Sequence, residues 1–307
     1  MDLFKIISDI EKVDPEVYAR LDTRRRAFKH ISGLGKVVTA ATLPGLLGTM
    51  FNKAYGQSTT LPTEIVQTLN LALQLEYLER YYYQRGLDTP NLIPAADVPA
   101  ITIIRDDEVG HINAIRAVLG NQAIADPTAA AFDYTAGGRL SPFTSTANFY
   151  GTAQAFVDTG VRAYKGGAPN LMSNKTILTA ALNIHSVEAR HSSHIRLLRR
   201  GGVTAQGDLA DLSNKPKSWI SGTDNGGPVP AVTAPVYGQG SNANFPAESN
   251  VTQANIDVQN SSTAPAGLTI TPAAASEAFD EPLDADAVKS IARNFRSAVG
   301  VTAGLFS

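Results

Sequence analysis

Two segments of the chain repeat the same residue types at the same spacing, and both contain side chains that bind metals. The segments are Ile104-Glu108-His111-Ile115 and Ile184-Glu188-His191-Ile195. A glutamate and a histidine three residues apart lie on one face of an α-helix, close enough to bind the same metal centre. The flanking isoleucines place each pair in an apolar seam, where a buried carboxylate needs a partner. The repeat therefore predicts a buried metal site built from two helices.

The composition narrows the chemistry of such a site. The chain has 307 residues, of which 43% are hydrophobic and 18% are charged, a globular balance, and it has no cysteine. Thiolate sites, disulfides and thiol nucleophiles are therefore excluded. A metal is left with His, Asp, Glu or backbone oxygen as ligands, which favours iron, manganese, zinc, calcium or magnesium. The formal net charge of −2 gives no basic excess for binding nucleic acid.

Four helices are predicted to position these side chains, because apolar residues recur at alternating spacings of three and four. The predicted ranges are about 64–85, 97–119, 145–165 and 175–200. A glycine follows each helix, as expected of a C-terminal stop, at Gly86, Gly120, Gly166 and Gly201. Acids and histidines in the middle of the seams are therefore expected to meet in the centre of a bundle.

The N-terminal segment 1–56 has the features of a twin-arginine export signal. Arg24-Arg25-Arg26 precedes a weakly apolar stretch at 31–51, and Ala54-Tyr55-Gly56 offers a small-x-small cleavage site. The apolar stretch is too rich in glycine for a transmembrane helix, so no stable membrane span is expected in the mature chain. We predict an extracytoplasmic protein, in the periplasm or at the cell surface. The alternative is an amphipathic N-terminal helix that stays on the protein.

Beyond the four helices the character of the sequence changes. Residues 202–283 are rich in Gly, Pro, Ser and Thr without a sustained period, and they predict a long irregular extension with Trp219 and Phe245 as anchors on the bundle. A short terminal helix is expected to open at Asp284, within the segment 284–307. The predicted fold class is all-α, with a four-helix bundle at 57–201 followed by the extension and the short helix.

Four segments of the predicted bundle are similar to those of a known family. They are Leu75-Glu76-Tyr77-Leu78-Glu79, Asp107-Glu108-Val109-Gly110-His111, Gly160-Val161-Arg162-Ala163-Tyr164 and Val187-Glu188-Ala189-Arg190-His191. Over about residues 60–200 the chain resembles the bacterial ferritin-like proteins labelled desiccation-related, and Phe279-Asp280-Glu281-Pro282-Leu283 is similar too. The resemblance implies a ferritin-like four-helix bundle with a di-iron or di-manganese carboxylate site.

The resemblance also implies a set of ligands for iron or manganese, as one or two ions. The implied ligands are Glu76, Glu108, His111, Glu188 and His191. Glu76 stands seven residues before Tyr83, as the first-helix ligand of such bundles often does. Glu79 is the second choice for the ligand on this helix. If it is not a ligand, it is an acid in the core or one that contacts the ligands. The two glutamates of the repeated segments would bridge the ions, and each histidine would cap one ion.

The third helix departs from the family pattern. Tyr164 is present, but Val157 stands seven residues before it, where a glutamate is expected. Asp158 is the neighbouring acid, about 100° further around the helix, and is a weak candidate ligand. Tyr83 and Tyr164 are candidates for hydrogen bonding to the ligands. The site is therefore expected to hold one ion, to hold two with an open position, or to be vestigial.

Two functions remain in competition at this stage. The doubled Glu–His pattern favours an exported metalloprotein that binds iron or manganese and reacts with dioxygen or peroxide. Val157 and the long polar extension favour an extracytoplasmic structural or stress protein that has lost the metal chemistry. Iron storage in a hollow shell fits the extension and the export signal less well. The expected partner is a second copy of the chain or a related ferritin-like protein, and the pattern assigns no catalytic residue.

Overall fold

Long helices dominate the structure, a computed structural model that describes residues 61–202, 212, 214–259 and 269–307. The four long helices are α1 Thr63–Asp88, α2 Val98–Leu119, α3 Thr146–Gly167 and α4 Lys175–Arg200. Shorter helices follow at α5 Pro230–Tyr237, α6 Pro272–Ser276, α7 Ala285–Ala292 and α8 Ala298–Thr302. Two short strands, β1 Thr252–Gln253 and β2 Ile256–Asp257, pair antiparallel. The predicted all-α class is confirmed.

The four long helices form the predicted bundle. α1 packs along α2, α3 packs along α4, and α1 also contacts α3. Side-chain caps fix two helix starts, since Ser145 accepts the N–H of Asn148 and Asn174 accepts the N–H of Ile177. Gly201 ends α4 in a left-handed conformation with a φ of 96°. These caps explain why the bounds of α3 and α4 agree with the predicted ones to within a few residues.

The sequence predicted that α1 ends at Gly86, but in the structure Gly86 is a packing position inside the helix. The helix continues through Gly86 to Asp88. A Cβ at Gly86 would lie 2.3 Å from the ring of Phe149, which stacks on Tyr82 with 4.9 Å between centroids. Gly166 likewise lies inside α3, where a Cβ would lie 1.8 Å from the carbonyl oxygen of Leu283. Both glycines permit close approach of a neighbouring group, which a sequence pattern does not distinguish from a stop signal.

The segment predicted to be irregular contains α5, the β1–β2 hairpin and α6, and buried polar contacts hold it to the bundle. The buried guanidinium of Arg162 on α3 donates to carbonyl oxygens of this segment, namely those of Val236, Gly238, Pro246 and Glu281. Its Nε also lies 2.8 Å from a carboxylate oxygen of Glu248. One buried charge therefore fixes several turns of chain that have no regular structure of their own.

Trp219 contacts the bundle through its backbone, since its carbonyl oxygen accepts a hydrogen bond from Arg196 on α4 at 3.2 Å, and not through its side chain. Its side chain is 54% exposed, and its indole N–H donates to Glu277 of the same segment. Phe245 is half-buried. Tyr237 makes the side-chain contact instead, because it is fully buried and its hydroxyl donates to Asp158 on α3 at 2.7 Å.

Predictions were made for both ends of the chain, but the structure describes only the C-terminal end. Asp284 opens α7 as expected, by accepting the N–H groups of Asp286 and Ala287. The export signal predicted at 1–56 lies outside the described residues. Within the ranges that the structure describes, no helix has the length and hydropathy needed to cross a bilayer.

Candidate metal centre

Three carboxylates converge on one histidine nitrogen inside the bundle. Nδ1 of His111 lies 3.1 Å from Glu76 Oε2, 3.1 Å from Glu108 Oε2 and 3.3 Å from Glu188 Oε1. One ligand atom from each of these four buried residues lies within 4.8 Å of the other three. A single imidazole N–H satisfies only one of three carboxylates, so a cation is the partner that suits this arrangement.

The carboxylates of Glu108 and Glu188 each face both histidines. Glu108 directs Oε2 to His111 and Oε1 to Nδ1 of His191, which is 3.2 Å away. Glu188 directs Oε1 to His111 and Oε2 to the same nitrogen of His191, at 3.7 Å. The two imidazole rings are 6.2 Å apart between centroids. The repeated Glu–His spacing produces this placement, because it turns both pairs toward the centre of the bundle. The placement suits carboxylates that bridge two ions.

Asp107 holds the outer side of His191. Its Oδ2 accepts a hydrogen bond from Nε2 of His191 at 3.1 Å. With the proton on Nε2, the lone pair of Nδ1 in the neutral imidazole points toward Glu108 and Glu188. A carboxylate behind a histidine is the usual support for a metal ligand. Sequence reasoning missed this role of Asp107 because its partner lies on another helix.

The two predicted tyrosines lie beside the acids of α1. Tyr164 on α3 donates its hydroxyl hydrogen to Oε1 of Glu76, which fixes the carboxylate whose other oxygen faces His111. Tyr83 is fully buried, and among the described residues its hydroxyl oxygen has no hydrogen-bond partner. Burial and then the charge of Glu79 raise the pKa of Tyr83 well above its usual value, so this hydroxyl keeps its proton.

Tyr164 also borders two cavities. One is a groove of about 500 Å³ lined by residues of α1, α3 and the start of α7. The other is an apolar cavity of about 20 Å³ inside the bundle, lined in part by Ile115 and Ile184. The smaller cavity suits a molecule about the size of water or dioxygen. Tyr164 therefore lies between these cavities and Glu76, to which it donates a hydrogen bond.

Burial raises the proton affinity of the two acids that α1 supplies, Glu76 and Glu79. It raises the pKa of Glu76 to about 8, against the lowering effect of His111. Burial also raises the pKa of Glu79 well above its usual value, and repulsion from Glu188 adds to the effect. Burial by itself would lower the pKa values of His111 and His191, but the neighbouring carboxylates hold both above their usual range. A metal ion that enters the cluster displaces the protons held there.

Buried acceptor atoms without a donor show that these residues fit a metal. Among the described residues, no donor with hydrogen-bond geometry serves Oε1 of Glu108, either oxygen of Glu188 or Oε2 of Glu79. Nδ1 of His191 has no hydrogen bond of good geometry either. An unpaired buried polar group costs about 1–3 kcal/mol, and more if it is charged. Open carboxylate and imidazole atoms of this kind fit iron or manganese, which bind such ligands.

Asp158, the weak candidate ligand on α3, lies outside the cluster, in a separate network of hydrogen bonds. Its Oδ2 accepts from Arg196 at 2.5 Å and from Tyr237 at 2.7 Å, while its Oδ1 accepts from Ser192 at 2.6 Å. Arg196 also lies 3.1 Å from Asp224, and all these groups are buried. Both oxygens of Asp158 are therefore engaged in a separate network that ties α3 to α4 and the extension.

Comparison with known proteins agrees with this geometry. Residues 64–200 match a family model described as a ferritin-like domain. Searches among curated proteins and among solved structures gave no match to the chain. The matched range spans α1 to α4 and contains every residue of the cluster. Residues 64–200 are therefore similar to ferritin-like domains, and they contain a buried cluster of glutamates and histidines that could bind metal.

Proposed function

We propose that this protein is a ferritin-like metalloprotein that binds non-haem iron or manganese and reacts with dioxygen or peroxide. The observation that carries the proposal is the convergence of Glu76, Glu108 and Glu188 on Nδ1 of His111. The chain has no cysteine, and carboxylate and imidazole are ligands that iron and manganese share. A bound ion of either metal supplies the electrons that dioxygen or peroxide takes up.

The residues of the cluster and its surroundings have three roles: they bind the metal ion, orient the ligands and exclude water. Glu76, Glu108, His111 and Glu188 hold the ion, and their burial excludes bulk water. Asp107 keeps His191 turned toward the carboxylates. Tyr164 orients Glu76 and carries a proton at its hydroxyl, next to a cavity of about 20 Å³.

Metal analysis of the folded protein tests the proposal. The protein is loaded anaerobically with Fe²⁺, or with Mn²⁺, then desalted and measured by plasma mass spectrometry. We expect about one ion per chain or more, and its loss in the double variant Glu108→Gln/Glu188→Gln, which removes two charges and preserves shape. Fe²⁺-loaded wild type should also be oxidised by dioxygen faster than this variant. Less than about 0.2 ion per chain in the wild type would refute the proposal.

Glu248→Gln is the matched control for this experiment. Glu248 is as buried as the acids of the cluster but pairs with Arg162 outside it. Burial raises the pKa of Glu248 to about 8, against the lowering effect of Arg162, and glutamine keeps the shape of the side chain. This variant should keep its full metal content, which separates loss of a ligand from loss of any buried acid.

Val157 supports a second candidate function, a structural or stress protein of the desiccation-related type without metal chemistry. This position of α3, where a carboxylate is expected, is apolar and fully buried. Thermal unfolding with and without Fe²⁺ or Mn²⁺ distinguishes the two functions. A metalloprotein should gain about 2.7 kcal/mol of stability at a metal concentration of 100 times Kd. A protein that has lost the site should keep its melting temperature.

We also propose that the protein is exported by the twin-arginine route and acts outside the cytoplasm. The support is the sequence of residues 1–56, with Arg24-Arg25-Arg26 before an apolar stretch and Ala54-Tyr55-Gly56 after it. This route transports folded proteins, so a metal can be inserted before export. Fractionation of cells that produce the full chain tests the proposal, with Arg24→Lys/Arg25→Lys as the comparison. Equal retention of both proteins in the cytoplasm would contradict it.

A further inference from the structure

α3 brings a glycine, and no carboxylate, to the metal cluster. Val157 is apolar, and Gly160 lies one turn further along the helix. A Cβ at Gly160 would lie 3.4 Å from Oε2 of Glu188 and 3.4 Å from Oε1 of Glu79. The backbone of α3 therefore passes beside two carboxylates that come from other helices. A larger side chain at position 160 would occupy the space next to them.

Glu79 reaches this space from α1. It is 5% exposed and lies one turn after Glu76, so both acids face the interior of the bundle. Oε1 of Glu79 and Oε2 of Glu188 both lie beside the position that a Cβ at Gly160 would take, so Glu79 is next to a carboxylate of the cluster.

Open acceptor atoms are also present on the side of His191. Glu76 and His111 are hydrogen-bonded to each other. In the described part of the chain, by contrast, donors of suitable geometry are missing for Oε2 of Glu79, Oε1 of Glu108 and Nδ1 of His191. A buried carboxylate without a donor or counter-charge destabilises the fold. A second cation on this side would have Glu79, Glu108 and His191 as candidate ligands.

We propose that Glu79 is a metal ligand that replaces the carboxylate missing from α3, and that Gly160 provides the room for it. α1 then supplies two ligands to a two-ion site, Glu76 to one ion and Glu79 to the other. The two bridging glutamates are shared, and each histidine binds one ion. This inference rests on the proposed function, because it requires that the cluster binds metal.

The two positions differ in how tightly their ligands converge. The ligand atoms that lie within 4.8 Å of one another belong to Glu76, Glu108, His111 and Glu188. Glu79 and His191 stand outside this group, so the second position is the wider one. We expect the second ion to bind more weakly than the first for this reason.

Metal stoichiometry tests the role of Glu79. The full chain is titrated with Mn²⁺ to saturation, and bound metal is counted by plasma mass spectrometry. Electron paramagnetic resonance is measured on the same samples, because two Mn²⁺ ions within about 4 Å couple magnetically and a single ion does not. We expect about two ions and a coupled signal in the wild type, and about one ion without coupling in Glu79→Gln.

Two further variants sharpen the test. Glu79→Gln/Val157→Glu returns a carboxylate to α3 and should restore the second ion and the coupled signal. Glu64→Gln, a change of an exposed acid on the same helix, is the matched control and should behave as the wild type. Metal-free Glu79→Gln should melt no lower than the wild type, since glutamine keeps the shape of the side chain and removes a buried acid that lies near Glu188. Glu79→Asp offers a milder change, and should weaken the second ion.

The outcomes separate this inference from the proposed function. Equal stoichiometry and an equal coupled signal in wild type and Glu79→Gln would overturn the inference and leave the proposed function standing. A wild type that binds about one ion without coupling would do the same. A wild type that binds no ion would refute the proposed function, and the inference with it. A fall from two ions to one that Val157→Glu reverses would support both.

Discussion

Replacement of Asp158 by alanine should destabilise the bundle without removing metal. Asp158 is fully buried and accepts hydrogen bonds from Ser192, Arg196 and Tyr237. The bond from the charged Arg196 contributes about 1.5–3 kcal/mol, and each hydroxyl left without an acceptor costs about 1 kcal/mol or more. Arg196 keeps its second partner, Asp224, which limits the loss. We therefore expect the free energy of unfolding to fall by about 4 kcal/mol.

Thermal and urea unfolding followed by circular dichroism measure this loss. For a domain of this size, about 4 kcal/mol corresponds to a fall of roughly 8–16 °C in the melting temperature. Asp106→Ala is the control, because Asp106 pairs with Arg105 at the surface and is 48% exposed on its side chain. Its removal should change stability by less than about 0.5 kcal/mol.

The metal content of Asp158→Ala decides between an anchor and a ligand. The saturated stoichiometry should equal that of the wild type, because both oxygens of Asp158 are engaged outside the cluster. A destabilisation below about 1 kcal/mol would refute the network as an anchor. Loss of a metal ion with unchanged stability would show instead that Asp158 is a ligand, and the separation of the network from the cluster would be wrong.

Two other substitutions test single contacts. Asp107→Asn should lower the metal affinity about 10–100-fold, because it weakens the hydrogen bond that orients His191; a titration with Mn²⁺ measures this, and an unchanged affinity would contradict the role of Asp107. Gly166→Ala should lower the melting temperature, because its Cβ would lie 1.8 Å from the carbonyl oxygen of Leu283 and the segment before α7 would have to move. Melting at the wild-type temperature would show that this contact relaxes easily.

The ligands of α2 and α4 were predictable because their geometry is local. A spacing of three residues fixes the angle between Glu108 and His111 on their helix, and the flanking isoleucines fix which face is buried. The same holds for Glu188 and His191. Both faces must be buried in the centre of the same bundle. The sequence therefore predicted that they meet, although it does not show how the helices pack.

The contacts between helices and extension were not predictable in this way. Asp107 meets His191 and Tyr237 meets Asp158 across long separations in sequence, and no period marks either pair. Trp219 is the only tryptophan in the sequence and was predicted to anchor the extension, but its side chain is 54% exposed. The role of Asp158 was ambiguous in the sequence for a similar reason, because its partner Arg196 lies on another helix.

The structure also changes what Val157 means. Read alone, an apolar residue where a carboxylate is expected indicates a lost site. The adjacent Asp158 does not compensate, because it is committed to Arg196. Gly160 lies one turn after Val157 on α3, however, and beside it lies Glu79, which is as buried as Glu76. The interior thus still contains four buried glutamates, at positions 76, 79, 108 and 188, with two histidines between them. Burying four acids against two imidazoles is costly without cations, so the number of carboxylates argues for a retained site more strongly than one valine argues against it.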